Sequence, residues 1–254
     1  MADLNSSRPR YNVRTAAQSQ SNIAAVLAGF AFTAVVLVVQ TQLPSAVSLG
    51  LLEGQPQLLR GRVAIAFLIA FFGCIISAFM FSVVAGEQEV EPRSHIVAFL
   101  GGGGFSISTV FIFWGVVVLS RLFLPPDAVH ITYVALFAIS LLSALLLSYS
   151  YIDYLVSAHQ MLLQKDSYRS VVICMVIVTL GAATRWVLGP QAIYSAAIFF
   201  NIAVYSSLAF VVLGATAALY VSEGDSIPLF SRIMRDLWLG VLGIIISLLF
   251  LLLP

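Results

Sequence analysis

Seven long apolar runs, separated by short polar stretches, dominate this chain. They fall near residues 22–40, 63–85, 96–119, 131–152, 170–188, 196–220 and 237–253. A helix needs about 20 mainly apolar residues to cross the hydrocarbon core of a bilayer, and each run is close to that length. None shows the strict apolar–polar alternation of a membrane β-barrel strand. In lipid, only a helix satisfies its own backbone, so the pattern predicts an all-α, polytopic membrane bundle of about seven transmembrane helices. Arg185 and Pro190 shorten the fifth run and make it the weakest of the seven.

The connections are too short for a soluble domain of useful size. Residues 22–254 therefore read as a single transmembrane helical domain behind a mobile tail, 1–21, rich in serine and glutamine. The first run is long for a signal peptide, and Pro44 spoils the nearest cleavage site, so it reads as a retained span. The connection 41–61 carries Pro44, Gly50, Gly54 and Pro56, and its leucines around 49–52 are placed to dip into the interface. Two segments, 151–163 and 227–237, are amphipathic at helical spacing. In the second, Phe230, Ile233, Met234 and Leu237 oppose Ser231, Arg232, Arg235 and Asp236. Such segments lie in the headgroup layer or offer a docking surface. No internal repeat is visible.

Composition agrees with the pattern. Hydrophobic residues make up 61% and charged residues 9%, with a mean hydropathy of +1.04. Soluble domains carry roughly 25% charge, so this chain cannot cover itself with polar surface in water. A net charge of +1 excludes a nucleic-acid binder. Membrane lipids are the implied surroundings, with a second copy or a membrane complex as the implied protein partner.

The lysines and arginines set an expected orientation. Arg8, Arg10, Arg14, Arg93, Lys165, Arg169, Arg232 and Arg235 fall on the side of the N-terminus, and Arg60, Arg62, Arg121 and Arg185 on the other. The imbalance predicts a cytoplasmic N-terminus and an outside C-terminus, in a plasma or inner membrane.

Candidate chemistry is sparse. The seven cores contain no Asp, Glu, Lys or His; Arg185 comes closest, one turn from a span end beside Trp186, where the pair makes an outer-interface anchor. Proton pumps and carboxylate-coupled transporters need such groups inside the membrane. A retinal protein needs a lysine in its last span, but the only lysine, Lys165, is in a loop. A heptahelical receptor would place its N-terminus outside. Asp153 and Asp225 lack the motifs of aspartyl intramembrane proteases, and Gly104-Phe105-Ser106-Ile107 lacks the second glycine of the serine type. Cys74 and Cys174 sit in mid-span, and His95, His130 and His159 fall on loops of both sides, so neither set has metal-ligand spacing. No catalytic residue, metal site or cofactor is expected.

Three polar features remain. Gly101, Gly102, Gly103 and Gly104 open the third span and precede Ser106, Ser108 and Thr109. Four glycines either break the helix to line a cavity or let neighbouring helices approach closely. Asn201 and Tyr205 share a face of the sixth span, and an asparagine in lipid requires a partner, either another helix or a ligand. Tyr149, Tyr151, Tyr154 and Asp153 form an interfacial group at the end of the fourth span. The candidate pore- or ligand-lining set is thus Gly101–Gly104, Ser106, Thr109, Asn201 and Tyr205.

The stretch 24–34, Ala-Ala-Val-Leu-Ala-Gly-Phe-Ala-Phe-Thr-Ala, resembles the pore-helix opening of Orai calcium channels. That family carries a pore glutamate where Leu37 stands here, and it has four spans, so the resemblance implies no carboxylate ring. The expected function is a non-enzymatic membrane subunit or effector acting through assembly or bilayer permeation. The alternatives are a channel or facilitator for a neutral or amphiphilic solute, and an intramembrane enzyme acting on a lipid or quinone.

Overall fold

The computed structural model describes residues 13–41, 55–86, 92–124, 131–142, 161–188, 197–220 and 227–252. These residues are almost entirely helical and form α1 (Val13–Gln40), α2 (Gln55–Gly86) and α3 (Pro92–Phe123), then α4 (Ile131–Leu142), α5 (Met161–Leu188), α6 (Ala197–Tyr220) and α7 (Ile227–Leu251). Pro92 opens α3, and Pro56 and Pro228 are second in α2 and α7, where a missing N–H costs nothing. The expected all-α membrane bundle is what the chain forms.

Side-chain contacts fix an alternating topology. Ser21, early in α1, donates to the Ala78 carbonyl late in α2 at 3.0 Å. Gly73 meets Ser108 while Gly115 meets Phe67, so α2 and α3 are also antiparallel. Odd-numbered helices run parallel to one another. Gly181 and Gly243 pair α5 with α7 in matching order, and Trp114 Nε1 donates to the Leu249 carbonyl at 3.0 Å, tying the far ends of α3 and α7. Arg60, Arg62, Arg121 and Arg185 consequently gather at one end of the bundle, here the arginine end. Asp166 and Asp236, the carboxylates among the described residues, belong to the opposite end.

The centre of the bundle is α3, which packs on α1, α2, α6 and α7. It buries 72% of its apolar window, against 28% for α1 at the periphery. Polarity is distributed as lipid demands. Val26, Phe79, Val187 and Ile198 are largely exposed, while Ser77, Ser106, Ser108 and Ser207 are buried. In water, so broad an apolar exterior would not be tolerated; in hydrocarbon it costs nothing. By length and apolarity α1, α2, α3 and α6 can each cross a bilayer, and α4, α5 and α7 contribute shorter apolar stretches. The segment resembling the Orai helix opening is a packing face: Ala24, Ala28 and Ala31 are buried in α1, whose main neighbour is α2, and small side chains let the two backbones approach.

Several helices run past the apolar limits. Residues 13–21, expected to be a mobile tail, are helical. Their hydroxyls find partners within the protein: Ser19 donates to the Thr15 carbonyl at 3.1 Å, and Ser21 also meets the Ser82 hydroxyl of α2 at 2.8 Å. Likewise α2 begins at Gln55, eight residues before the expected start, and α7 takes in the amphipathic segment 227–237 as its first turns. The second half of the fourth span, the group Tyr149–Tyr154, the amphipathic segment up to residue 160, the leucines around 49–52, His130, His159 and Asp225 lie outside the described residues. So do the side chains of His95 and Trp186.

Candidate functional site

The glycine run does not break its helix, since α3 is continuous from Pro92 to Phe123. Successive residues of a helix turn by 100°, so Gly101, Gly103 and Gly104 meet different neighbours. A β-carbon on Gly101 would stand 3.2 Å from Met80 and 3.4 Å from Phe81 of α2. One on Gly103 would fall on the Trp238 indole nitrogen of α7. One on Gly104 would stand 2.8 Å from the Ser77 hydroxyl of α2 and 3.8 Å from Val211 of α6. Gly101, Gly103 and Gly104 are buried, and Gly102 is half-buried.

Trp238 completes this junction. Its ring stacks on Phe210 of α6 with centroids 3.6 Å apart. Beyond it, a β-carbon on Gly214 would be 2.7 Å from two indole carbons. The indole is thus seated in a slot whose two glycines come from α3 and α6. Further along α3, the Ser108 hydroxyl donates to the Gly104 carbonyl at 2.8 Å, and Thr109 donates to Phe105 at 2.9 Å. Both hydroxyls are spent on their own helix, a common fate for Ser and Thr in apolar surroundings. The Ser77 hydroxyl and the Trp238 N–H, both fully buried, have no hydrogen-bond partner. Chemically the junction offers these two orphaned groups, the Cys74 thiol beside Ser108, and no carboxylate, imidazole or amine among the described residues.

Asn201 and Tyr205 are not brought to the junction. They point away from the bundle on α6, with Tyr205 70% exposed, and Leu208 continues their face. The neighbouring Ser207 turns inward and donates to the Ala203 carbonyl at 2.6 Å. The polar residues of α6 therefore divide, and one set faces outward.

At the arginine end, Arg185 donates a hydrogen bond to the Tyr133 hydroxyl of α4 and lies near Arg121. Arg62 is the surprise. It is only 5% exposed, and its guanidinium sits 5.5 Å above the Phe200 ring. The sequence placed it just before the second apolar run, at the edge of a span, beside Arg60. Trp238, Ser77 and Gly214 were also missed; the available signal was a tryptophan in one apolar run, with a glycine run in a second and an isolated glycine in a third. Among the described residues no group of His, Cys, Asp and Glu could hold a metal ion. Compared with protein-family models, curated proteins and solved structures, the chain matches none.

Proposed function

We propose that this chain is a non-enzymatic membrane subunit or effector that acts by assembling in the bilayer, with a second copy of itself as the partner on α6. The observation that carries this reading is the outward pair Asn201–Tyr205. An amide exposed to hydrocarbon is costly, and an interhelical hydrogen bond recovers roughly 0.6–2 kcal/mol. A two-fold axis beside α6 would let each Asn201 meet its counterpart, as an isologous interface requires. A path through one chain draws less support, because the glycine run closes against three helices while Asn201 and Tyr205 lie outside. On this reading any permeation path runs between copies. The arginine count further supports a cytoplasmic N-terminus and an outside C-terminus in a plasma or inner membrane.

Light scattering in mild detergent tests assembly: a species larger than one chain is expected, shifting toward monomer in Asn201→Leu. An Asn201→Cys variant should form an interchain disulfide in vesicles. A strict monomer in both detergent and nanodiscs, with no such disulfide, would remove the proposal. Orientation is tested by Ser6→Cys, which should resist an impermeant maleimide added outside intact cells.

A further inference from the structure

At the arginine end, residues of α1, α2 and α3 line an apolar groove of about 260 Å³. On the α1 side it is lined by residues spaced as one helix face, from Phe30 through Thr33 and Leu37 to Thr41. That face is about 16 Å long at 1.5 Å per residue. Val116 and Phe123 of α3 form the opposite wall, and Phe67 of α2 lies near the inner limit. The Thr33 and Thr41 hydroxyls donate to the Gly29 and Leu37 carbonyls of their own helix, at 2.9 and 2.7 Å, so neither is left to donate to a ligand. Arg60 supplies the charge. It lines the groove seven residues before Phe67 on α2, about 10 Å further toward the arginine end.

We infer that this groove binds one acyl chain of an anionic phospholipid, with Arg60 pairing its headgroup phosphate. A volume of about 260 Å³ suits part of a single chain, and the walls are apolar apart from Thr33, Thr41 and Arg60. Charge selects the headgroup: among the described residues this end holds Arg60, Arg62, Arg121 and Arg185, and no carboxylate. An acyl chain gains little on leaving one hydrocarbon environment for another, so preference must come from the phosphate and the guanidinium.

Native mass spectrometry of the full chain, released from mild detergent with added phosphatidylglycerol or phosphatidylcholine of identical chains, tests this. Phosphatidylglycerol should be retained preferentially. Arg60→Gln should weaken its retention roughly fivefold, the fold-change equivalent to about 1 kcal/mol per interfacial arginine. Arg121→Gln, exposed at the same end but outside the groove, should have less effect. Thr33→Phe, which fills the groove from the exposed side of α1, should lower retention of both lipids. Equal retention of the two lipids, or equal losses in Arg60→Gln and Arg121→Gln, overturns the proposal. Displacement of phosphatidylglycerol by an equal concentration of oleate would overturn the assignment to a phospholipid.

Discussion

Replacing Gly103 by alanine sets two effects of opposite sign against each other. Alanine is the better helix former by about 1 kcal/mol, so on an open helix face the substitution stabilises. At Gly103 the new β-carbon lands on the Trp238 indole, with its nitrogen closest and two ring carbons at 2.9 and 3.0 Å. The ring cannot retreat easily, because Phe210 is stacked on it and Gly214 of α6 closes the other approach. Overpacking of this kind costs about 1–3 kcal/mol, so the net expectation after the propensity gain is a loss of up to roughly 2 kcal/mol. Gly240, two residues from Trp238 on α7, has open space around it, and Gly240→Ala should be neutral or stabilising. Thermal unfolding in mild detergent reads the difference, at roughly 2–4 °C per kcal/mol for a chain of this size. The decisive measurement is the cycle with Trp238→Leu, which opens the slot: Gly103→Ala should cost less in that background, with a coupling of about 0.5–3 kcal/mol. A stabilising Gly103→Ala, or a cost unchanged by Trp238→Leu, would refute the slot.

Other consequences follow from the same contacts. Gly73→Ala meets only the Ser108 hydroxyl closely, which can rotate away at the expense of its bond to Gly104, so its cost should stay within about 1 kcal/mol. Trp114→Phe removes the hydrogen bond to the Leu249 carbonyl and should cost about 0.5–1.5 kcal/mol more than its lost packing, whereas Trp238→Phe breaks no hydrogen bond; chemical denaturation in micelles compares the two. Gly181→Val would drive a side chain into Ser247 and should separate α5 from α7, seen as protease sensitivity in membranes. Cys74 and Cys174 are buried and should resist N-ethylmaleimide until the protein is denatured, as intact-mass measurement would show.

The positions of the helices were legible because lipid forces a simple code, a long apolar run for each crossing. Their ends were not. Arg62 looked like the edge of a span, yet Phe200 receives its guanidinium and the helix runs on past it. Ser21 looked like part of a solvated tail, yet α2 satisfies its hydroxyl. In both cases the deciding partner sits on another helix. The glycine run was visible as a place of close approach or breakage, and the continuity of α3 decides for close approach. The division of α6 into an inward Ser207 and an outward Asn201 was not readable, because the helix is apolar on all sides and shows no amphipathic stripe to orient it.

The slot around Trp238 also has a history within each molecule's synthesis. Helices α1, α2 and α3 are consecutive and pack on one another as they emerge, but the groups that close the inner face of α3 arrive much later. Leu249 follows its partner Trp114 by 135 residues, which at 5–20 residues per second is a delay of roughly 7–27 s. During that interval Gly103 presents bare backbone to the bilayer, open to any helix small enough to fit. Arrival of α7 ends that exposure, and a nascent chain halted before α7 should be the form that membrane quality control meets.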